Sequence, residues 1–169
     1  MATNKIQGYQ ALDIIPSDNA NVPYTVVRRS GDNDGISPNQ LIGESDAEFI
    51  KNGVKAGDIV VNLSSRVSAT VTAVIDQETL YLNADIFLNV GGTERYTIYA
   101  ASAVDNYQDA NNGCVLYIGS GGAGKDLNVT PLANQLPVIF KNVKEGFFPV
   151  QVKKVWRTYT SCSDIIALW

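Results

Sequence analysis

Apolar and polar residues alternate in short runs along most of the chain, and Gly, Pro, Asn and Asp separate the runs. Val71, Ala73 and Ile75, for example, are separated by single Thr or Val residues. Because successive side chains of a strand point to opposite faces of a sheet, this alternation predicts strands with one buried face. We therefore predict an all-β protein.

The predicted strands fall into two groups. The first group is 24–29, 57–62, 69–75, 80–82 and 96–100. The second group is 114–118, 127–130, 137–143, 148–159 and 165–169. Small polar residues separate the groups, which is typical of a linker. The predicted organisation is an N-terminal arm (1–22), a β-barrel or sandwich lobe (23–103), a linker (104–112) and a C-terminal β-sandwich lobe (113–169).

One short helix is predicted in the first lobe. Ser45 and Glu48 have the spacing of a capping box, and Gly53 is placed to end the helix in the left-handed region. We expect a helix of about two turns over residues 46–52 that covers one end of the lobe. The expected fold is thus two small β-barrel or sandwich lobes with one short capping helix.

Two interruptions of the strand pattern are also predicted. Residues 30–35 are rich in Gly, Asp and Asn, which predicts a tight loop at the end of strand 24–29. In the segment 148–159, the alternation breaks near Lys153 and Lys154, which predicts a bulge or a bend.

The chain contains no histidine, which excludes catalysis by a Ser-His-Asp or Cys-His group. A hydrolase could use only paired carboxylates. Loose candidates for such a pair are Asp58, Asp76, Asp85, Glu94 and Glu145. Nothing in their spacing places two of them together, so we expect no catalytic residues and no enzymatic activity.

Two motifs resemble ligand sites only in part. Residues 119–125 match the spacing of a phosphate-binding loop, but Asp126 stands where a Ser or Thr would bind Mg²⁺, and a strand follows instead of a helix. We interpret 119–125 as a glycine-rich hairpin turn. Residues 30–35 resemble a calcium loop, but Leu41 stands where a bidentate Glu is needed. We expect neither a cofactor nor a metal ion.

Charge and hydropathy limit the partners. The net charge is −4 from 13 basic and 17 acidic residues, and no run of Lys or Arg exceeds two. Residues 1–103 carry 7 basic and 12 acidic residues, and residues 104–169 carry 6 and 5. We expect no direct contact with nucleic acid. No stretch approaches the roughly 18 apolar residues of a membrane span, and no export signal is recognisable at the N-terminus.

Cys114 and Cys162 lie in strand-like apolar surroundings, so we predict two buried or half-buried thiols, with no disulfide scaffold or zinc site; whether the two cysteines pair is left open. Aromatic residues at this density usually pack in the core. A terminal Trp and an apolar arm would also suit contacts between subunits. The candidate subunit or capsid contacts are Ile6, Tyr9, Leu12, Trp156 and Trp169.

Two parts of the chain resemble known modules. The first consists of residues 52–62, 69–75, 80–87 and 96–99. It resembles a β-module of virion proteins from tailed bacteriophages, including marine and cyanobacterial phages. The second consists of residues 116–122, 138–143, 148–152 and 165–168. It resembles a module common in small phage structural proteins, although residues 158–162 are bulkier than the usual Thr/Gly-rich bend.

The resemblance implies a virion structural protein that is made in the host cytoplasm and carries no catalytic residues. A capsid decoration (cement) protein is expected first, with the major capsid protein as partner and with copies associated as a homo-oligomer, preferably a trimer. One alternative is a neck, tail or baseplate component of the same virion. The other is a receptor- or glycan-binding spike head that uses exposed aromatic residues such as Tyr107 and Trp156. A cell-wall hydrolase comes last.

Overall fold

A computed structural model describes residues 10–35, 37–88, 93–101 and 113–169, and these residues are all-β, as predicted. In chain order the strands are β1 (Ala11–Asp13), β2 (Val27–Asn33), β3 (Gln40–Ile42), β4 (Ile59–Asn62), β5 (Val67–Val74), β6 (Thr79–Leu82), β7 (Glu94–Tyr99), β8 (Cys114–Ser120), β9 (Leu127–Pro131), β10 (Val138–Phe140), β11 (Gly146–Val155) and β12 (Ser163–Leu168). They form two six-stranded antiparallel sheets. The predicted linker, residues 104–112, lies outside the described residues.

The first sheet has the strand order β2-β7-β4-β5-β6-β3 and curls until its two edge strands meet. Asn33 at the end of β2 forms a bridge with Gly43, and the Asp34 amide donates a hydrogen bond of 2.7 Å to the Ile42 carbonyl. The curled sheet encloses an apolar core. Its largest fully buried side chains are Tyr96, Phe49, Phe87, Leu41, Leu80 and Ile98.

The predicted helix over residues 46–52 is wrong, because this segment forms turns. Glu48 has φ of +48°, whereas helical residues need φ near −63°. A single helical-type hydrogen bond of 2.8 Å from the Asn52 amide to the Glu48 carbonyl remains, and Gly53 adopts φ of +71°. The turn still places Phe49 in the first core, where the ring is fully buried. The apolar anchor is therefore retained without a helix.

The predicted loop at residues 30–35 is also wrong in part, because β2 continues to Asn33 and pairs with β7 throughout. Gly31 permits this pairing at a crowded position. A methyl group on Gly31 would lie 2.9 Å from Tyr96 Oη and even closer to Glu44 Oε1. The glycine therefore allows close approach of side chains to a strand rather than forming a turn.

The second sheet has the strand order β1-β12-β8-β11-β9-β10. The first part of β11 pairs with β8, and its last part pairs with β9. The pairing register shifts between Val152 and Lys154, which confirms the predicted bulge or bend. On the core side of the sheet, the ring centroids of Phe140 of β10 and Phe148 of β11 are 4.8 Å apart. The sheet thus folds over its own apolar core.

Residues 119–125 do not form the predicted hairpin turn, since β11 lies between β8 and β9 in the sheet. The glycine-rich segment instead crosses from one strand to a non-adjacent one. The Gly122 amide donates to the Val143 carbonyl at 2.7 Å, and the Gly124 amide donates to Asn142 Oδ1 at 2.8 Å. The partner of this turn is therefore the β10–β11 connection and not a neighbouring strand.

Residues 10–22 of the predicted arm are packed against both sheets. β1 pairs with β12, so that Leu12 lies opposite Ala167. After β1, the Ile14 amide donates to the Ile165 carbonyl, and the Val22 amide donates to the Lys153 carbonyl, both at 3.0 Å. These contacts hold the segment on the second sheet.

Residues 14–22 of this arm also contact the first sheet. We call residues 14–22 the strap. The Ser17 hydroxyl donates to the Ser68 carbonyl at 3.2 Å, and the Asn19 carbonyl accepts hydrogen bonds from Thr70 Oγ1 at 3.0 Å and Asn83 Nδ2 at 2.6 Å. Hydrogen bonds from one strap to both sheets tie the two lobes together.

Candidate interaction surface

The outer face of the second sheet carries exposed apolar side chains. Strand β8 alternates regularly, with Leu116 and Ile118 buried in the core and Tyr117 on the opposite face. Neighbouring strands add side chains to the same face. We call this set the outer face; it consists of Val115, Tyr117, Phe147, Ile166 and Leu168.

An aromatic pair lies at the centre of the outer face. Tyr117 and Phe147 are register partners on β8 and β11, and their ring centroids are 5.6 Å apart at an interplanar angle of 80°. Phe147 remains 66% exposed and Tyr117 39% exposed. On the other side of Tyr117, Ile166 is its register partner. Burial of such rings against a partner contributes about 25 cal/mol per Å² of apolar area.

Carboxylates lie at the edge of the outer face. Asp13 of β1 is the register partner of Ile166, and Arg66 Nη2 lies 3.5 Å from its Oδ2 atom. Asp164 of β12 lies beside Gly119, since a Cβ atom on Gly119 would be 2.8 Å from Asp164 Cβ. The surface therefore has an apolar centre with charged side chains at its edge, and a polar rim is common at binding faces.

Two of the predicted contact residues, Leu12 and Trp169, lie near each other at the β1–β12 pair. Leu12 is half-buried against the second core. The ring centroids of Trp169 and Tyr24 are 5.4 Å apart in an edge-on arrangement. The Trp169 amide donates a hydrogen bond of 3.1 Å to the Gln10 carbonyl. Both side chains thus contribute to packing within the molecule. The other two arm residues, Ile6 and Tyr9, lie outside the described residues.

Trp156 is not brought together with Leu12 and Trp169. It follows β11, and its indole nitrogen donates a hydrogen bond of 2.9 Å to Thr130 Oγ1 of β9. Lys154 Nζ lies 3.7 Å from the centroid of the Trp156 ring, which places a cation over one ring face. Trp156 is half-buried in this arrangement.

Sequence reasoning missed the pair Tyr117 and Phe147 as contact residues. A signal was present, because Phe147 and Phe148 are consecutive and successive strand residues face opposite sides. One of the two rings had to point away from the core if both lay in a strand. Phe148 is buried and Phe147 is the exposed member.

The buried carboxylates have structural partners. Asp58 accepts hydrogen bonds from the Lys55 amide at 2.9 Å and the Ala101 amide at 3.0 Å, and Arg28 Nε lies 3.4 Å from its Oδ2 atom. Glu94 accepts a hydrogen bond of 2.8 Å from the side-chain amide of Asn62. Within the described ranges, no three Cys, Asp or Glu side chains come together as metal ligands.

Both cysteines are buried, as predicted, and the structure shows both as free thiols. Burial raises the pKa of Cys114 to about 12, and burial also raises the pKa of Cys162. Since the thiolate is the reactive form, neither group is suited to act as a nucleophile at neutral pH.

A small cleft of about 220 Å³ lies between β1 with the strap and the first lobe. Leu12 and Asp13 line it on one side, and Leu63 and Arg66 line it on the other. The Tyr99 ring also lines the cleft, and burial raises the pKa of its hydroxyl. The outer side of β1 therefore lies beside the first lobe.

Comparison with family models, with curated proteins and with solved structures finds no match to this chain. In the described part of the chain, no helix is long and apolar enough to cross a membrane.

Proposed function

We propose that this chain is a structural protein of a tailed-bacteriophage virion, made in the host cytoplasm, and that it serves as a capsid decoration protein. It binds the lattice of the major capsid protein and stabilises that lattice. The observation that carries the proposal is the outer face, where Phe147 and Tyr117 leave apolar ring surface exposed at the centre of an ordered sheet. The resemblance of both lobes to phage β-modules supports the same assignment.

The proposed mechanism is burial of apolar area across joints between capsid subunits. The outer face presents rings on paired strands, and such rings lose little conformational entropy on binding. Copies associate as a homo-oligomer, preferably a trimer at local symmetry axes, so that several faces bind at once. Binding through several faces raises the effective affinity without any further contact. The strap supports this role, because it ties both lobes into one unit.

The first experiment is the copy number per purified particle, measured by quantitative mass spectrometry against the major capsid protein. Hundreds of copies would support the decoration role. About a dozen copies or fewer would move the protein to the neck, tail or baseplate. Absence from the particle would overturn the virion assignment.

A second experiment tests the outer face itself. The double variant Tyr117→Ser/Phe147→Ser should bind expanded heads at least tenfold more weakly than the unmodified protein, because truncation of central aromatic residues usually removes most of the binding energy. Tyr159→Ser is the matched control, since Tyr159 is 72% exposed but lies on the loop before β12. Equal loss of binding in both variants, or full binding by the double variant, would contradict the role of this face.

A glycan-binding spike head is the second candidate, and the exposed rings of Tyr117 and Phe147 are the observation that favours it. Trp156 is a poorer platform for a sugar, because Lys154 lies over one face of its ring. Tyr107 lies outside the described residues. Retention of the free protein on host polysaccharide, lost in the Tyr117→Ser/Phe147→Ser variant, would favour this function over decoration.

A further inference from the structure

The side chain of Asn52 closes the turn that buries Phe49. Asn52 donates three hydrogen bonds backwards along the chain. Its backbone amide reaches the Glu48 carbonyl at 2.8 Å, and its side-chain amide reaches the Ala47 carbonyl at 3.1 Å and the Glu48 carbonyl at 3.0 Å. Local bonds of this kind are an alternative to helical bonds, and Asn side chains often provide them. The turn therefore uses the side-chain amide of Asn52 as a donor.

Asn52 is followed by Gly53, and this dipeptide has a reactivity of its own. The backbone nitrogen after an Asn can attack the side-chain carbonyl carbon, and a glycine leaves its nitrogen accessible because it has no Cβ. A bond forms between Gly53 N and Asn52 Cγ, the Cγ–Nδ2 bond breaks, and Nδ2 leaves as ammonia with the proton that Gly53 N has lost. Water then opens the five-membered imide and leaves Asp or isoaspartate at position 52.

The folded turn opposes this reaction, because both reacting groups are engaged in it. Asn52 Nδ2 is bonded back to the carbonyls of Ala47 and Glu48, and the Gly53 amide donates a hydrogen bond of 3.0 Å to the Ile50 carbonyl. Cyclisation requires Gly53 N to lose its proton and the Asn52 side chain to move over it. These hydrogen bonds must therefore break first, and we expect reaction from molecules in which the turn has opened.

We propose that Asn52 is a deamidation site that the folded turn keeps latent, and that the reaction removes the hydrogen bonds that close the turn. The product carries an ionised carboxylate, which accepts hydrogen bonds but cannot donate them to the Ala47 and Glu48 carbonyl oxygens. A molecule that has reacted therefore closes this turn less well, and Phe49 loses part of the support for its place in the first core. The inference is independent of the proposed function.

The first test compares the reaction in the folded and the unfolded chain. The full chain is incubated at mildly alkaline pH in buffer and in guanidinium chloride, and peptide mapping by mass spectrometry follows the conversion of Asn52. The other Asn-Gly dipeptide of the chain, Asn112-Gly113, appears in the same map and calibrates the rate in the unfolded chain. We expect similar rates for both dipeptides in guanidinium chloride. In the folded protein, Asn52 should react at least about tenfold more slowly.

The second test measures the effect of the product. Asn52→Asp introduces the carboxylate directly and should lower Tm by about 4 °C or more, because two hydrogen bonds from the side chain are lost. Asn39→Asp is the matched control, since it makes the same chemical change at an exposed residue of the same lobe. Its Tm should stay within about 2 °C of that of the unmodified protein. Protein converted at Asn52 by incubation should show a lowered Tm as well.

Three results would overturn the proposal. One is conversion of Asn52 as fast in the folded protein as in guanidinium chloride, which would show that the turn gives no protection. Another is an Asn52 that stays unconverted in the unfolded chain while Asn112 reacts. The third is an Asn52→Asp variant as stable as Asn39→Asp, which would show that the side-chain donor of Asn52 does not hold the turn closed.

Discussion

Thr158 donates two hydrogen bonds to Asp18, from its amide to Oδ1 at 3.0 Å and from its hydroxyl to Oδ2 at 2.8 Å, although 140 positions separate the two residues. Lys154 Nζ adds a hydrogen bond of 2.8 Å to the Asp18 carbonyl. The next residue, Asn19, accepts hydrogen bonds from the first lobe. Asp18 is thus one of the points at which the strap is attached to the second lobe.

Asp18→Ala should lower the free energy of unfolding by about 1 kcal/mol, because it removes the acceptor of two charge-assisted hydrogen bonds from Thr158, although water can reach the exposed Thr158 amide. Urea unfolding followed by tryptophan fluorescence would measure the change. Asp76→Ala is the control, since among the described residues the Asp76 side chain accepts one hydrogen bond, from the nearby Glu78 amide. A loss no larger than that of Asp76→Ala would show that the strap contact is not stabilising.

The same carboxylate should make stability depend on pH. Burial raises the pKa of Asp18, but the hydrogen bonds from Thr158 and the Arg157 amide together with the charge of Lys154 outweigh burial, so the pKa lies below its ordinary value. A lowered folded-state pKa means that the stabilisation is fully present above about pH 4, the ordinary value for Asp, and is lost as pH falls through the folded value.

Asp18→Asn separates this effect from other carboxylates. The difference in unfolding free energy between the unmodified protein and Asp18→Asn should be constant above about pH 5 and should shrink below about pH 4. Asp126, whose pKa is lowered chiefly by the hydrogen bond from Lys141, titrates in both proteins and cancels in the difference. A difference that stays constant down to pH 2 would contradict the predicted shift.

Gly121→Ala should destabilise the protein by about 1–3 kcal/mol through overpacking. A methyl group there would lie 2.8 Å from the Glu145 amide nitrogen and closer still to the Val143 carbonyl oxygen, and backbone atoms cannot rotate away. Gly31→Ala is the informative comparison, because a methyl group there meets side chains and not backbone: the end of the Glu44 side chain, which can move, and Tyr96 Oη at 2.9 Å. Thermal unfolding should rank Gly121→Ala as the less stable variant, and the reverse order would contradict this account.

The two cysteines should be unreactive in the native protein. Cys114 is 2% exposed and Cys162 is 6% exposed, and burial raises both pKa values. A thiol reagent at pH 8 should label neither residue within minutes and should label both after unfolding in guanidinium chloride. Both cysteines belong to the core of the second lobe, so rapid labelling of one thiol in the native state would show that this lobe opens locally. Mass spectrometry would identify which of the two cysteines is labelled and therefore where the lobe opens.

Much of the fold follows from local patterns. The alternation in 69–75 corresponds to β5, and the broken alternation near Lys153 corresponds to the bend in β11. Where the prediction was wrong, a local preference did not decide the structure. Residues 46–52 carry helix signals but form a turn in which Glu48 has positive φ, and this turn buries Phe49 in the core of the first sheet. Short strands such as β3 carry too few residues to show a period.

The candidate surface, too, was predictable from the sequence only in part. Alternation around Tyr117 already implied that this side chain faces away from the core. That Phe147 lies beside Tyr117 could not be predicted, because β8 and β11 pair over a long intervening segment. The arm was predicted as a contact strip, whereas its described residues 10–22 are engaged within the molecule. Which neighbour a strand or strap finds depends on contacts distant in sequence.

The sequence by itself determined the all-β class, the approximate positions of most strands, the burial of both cysteines and the absence of histidine-based catalysis. These properties depend on residue type and on the period of two, which is local information. Only the tertiary structure decided that β11 lies between β8 and β9, that the strap joins the lobes with Asp18 among its contacts, and that Phe147 lies beside Tyr117. Strand order and long-range hydrogen bonds arise when distant segments pack together, and no local pattern encodes them.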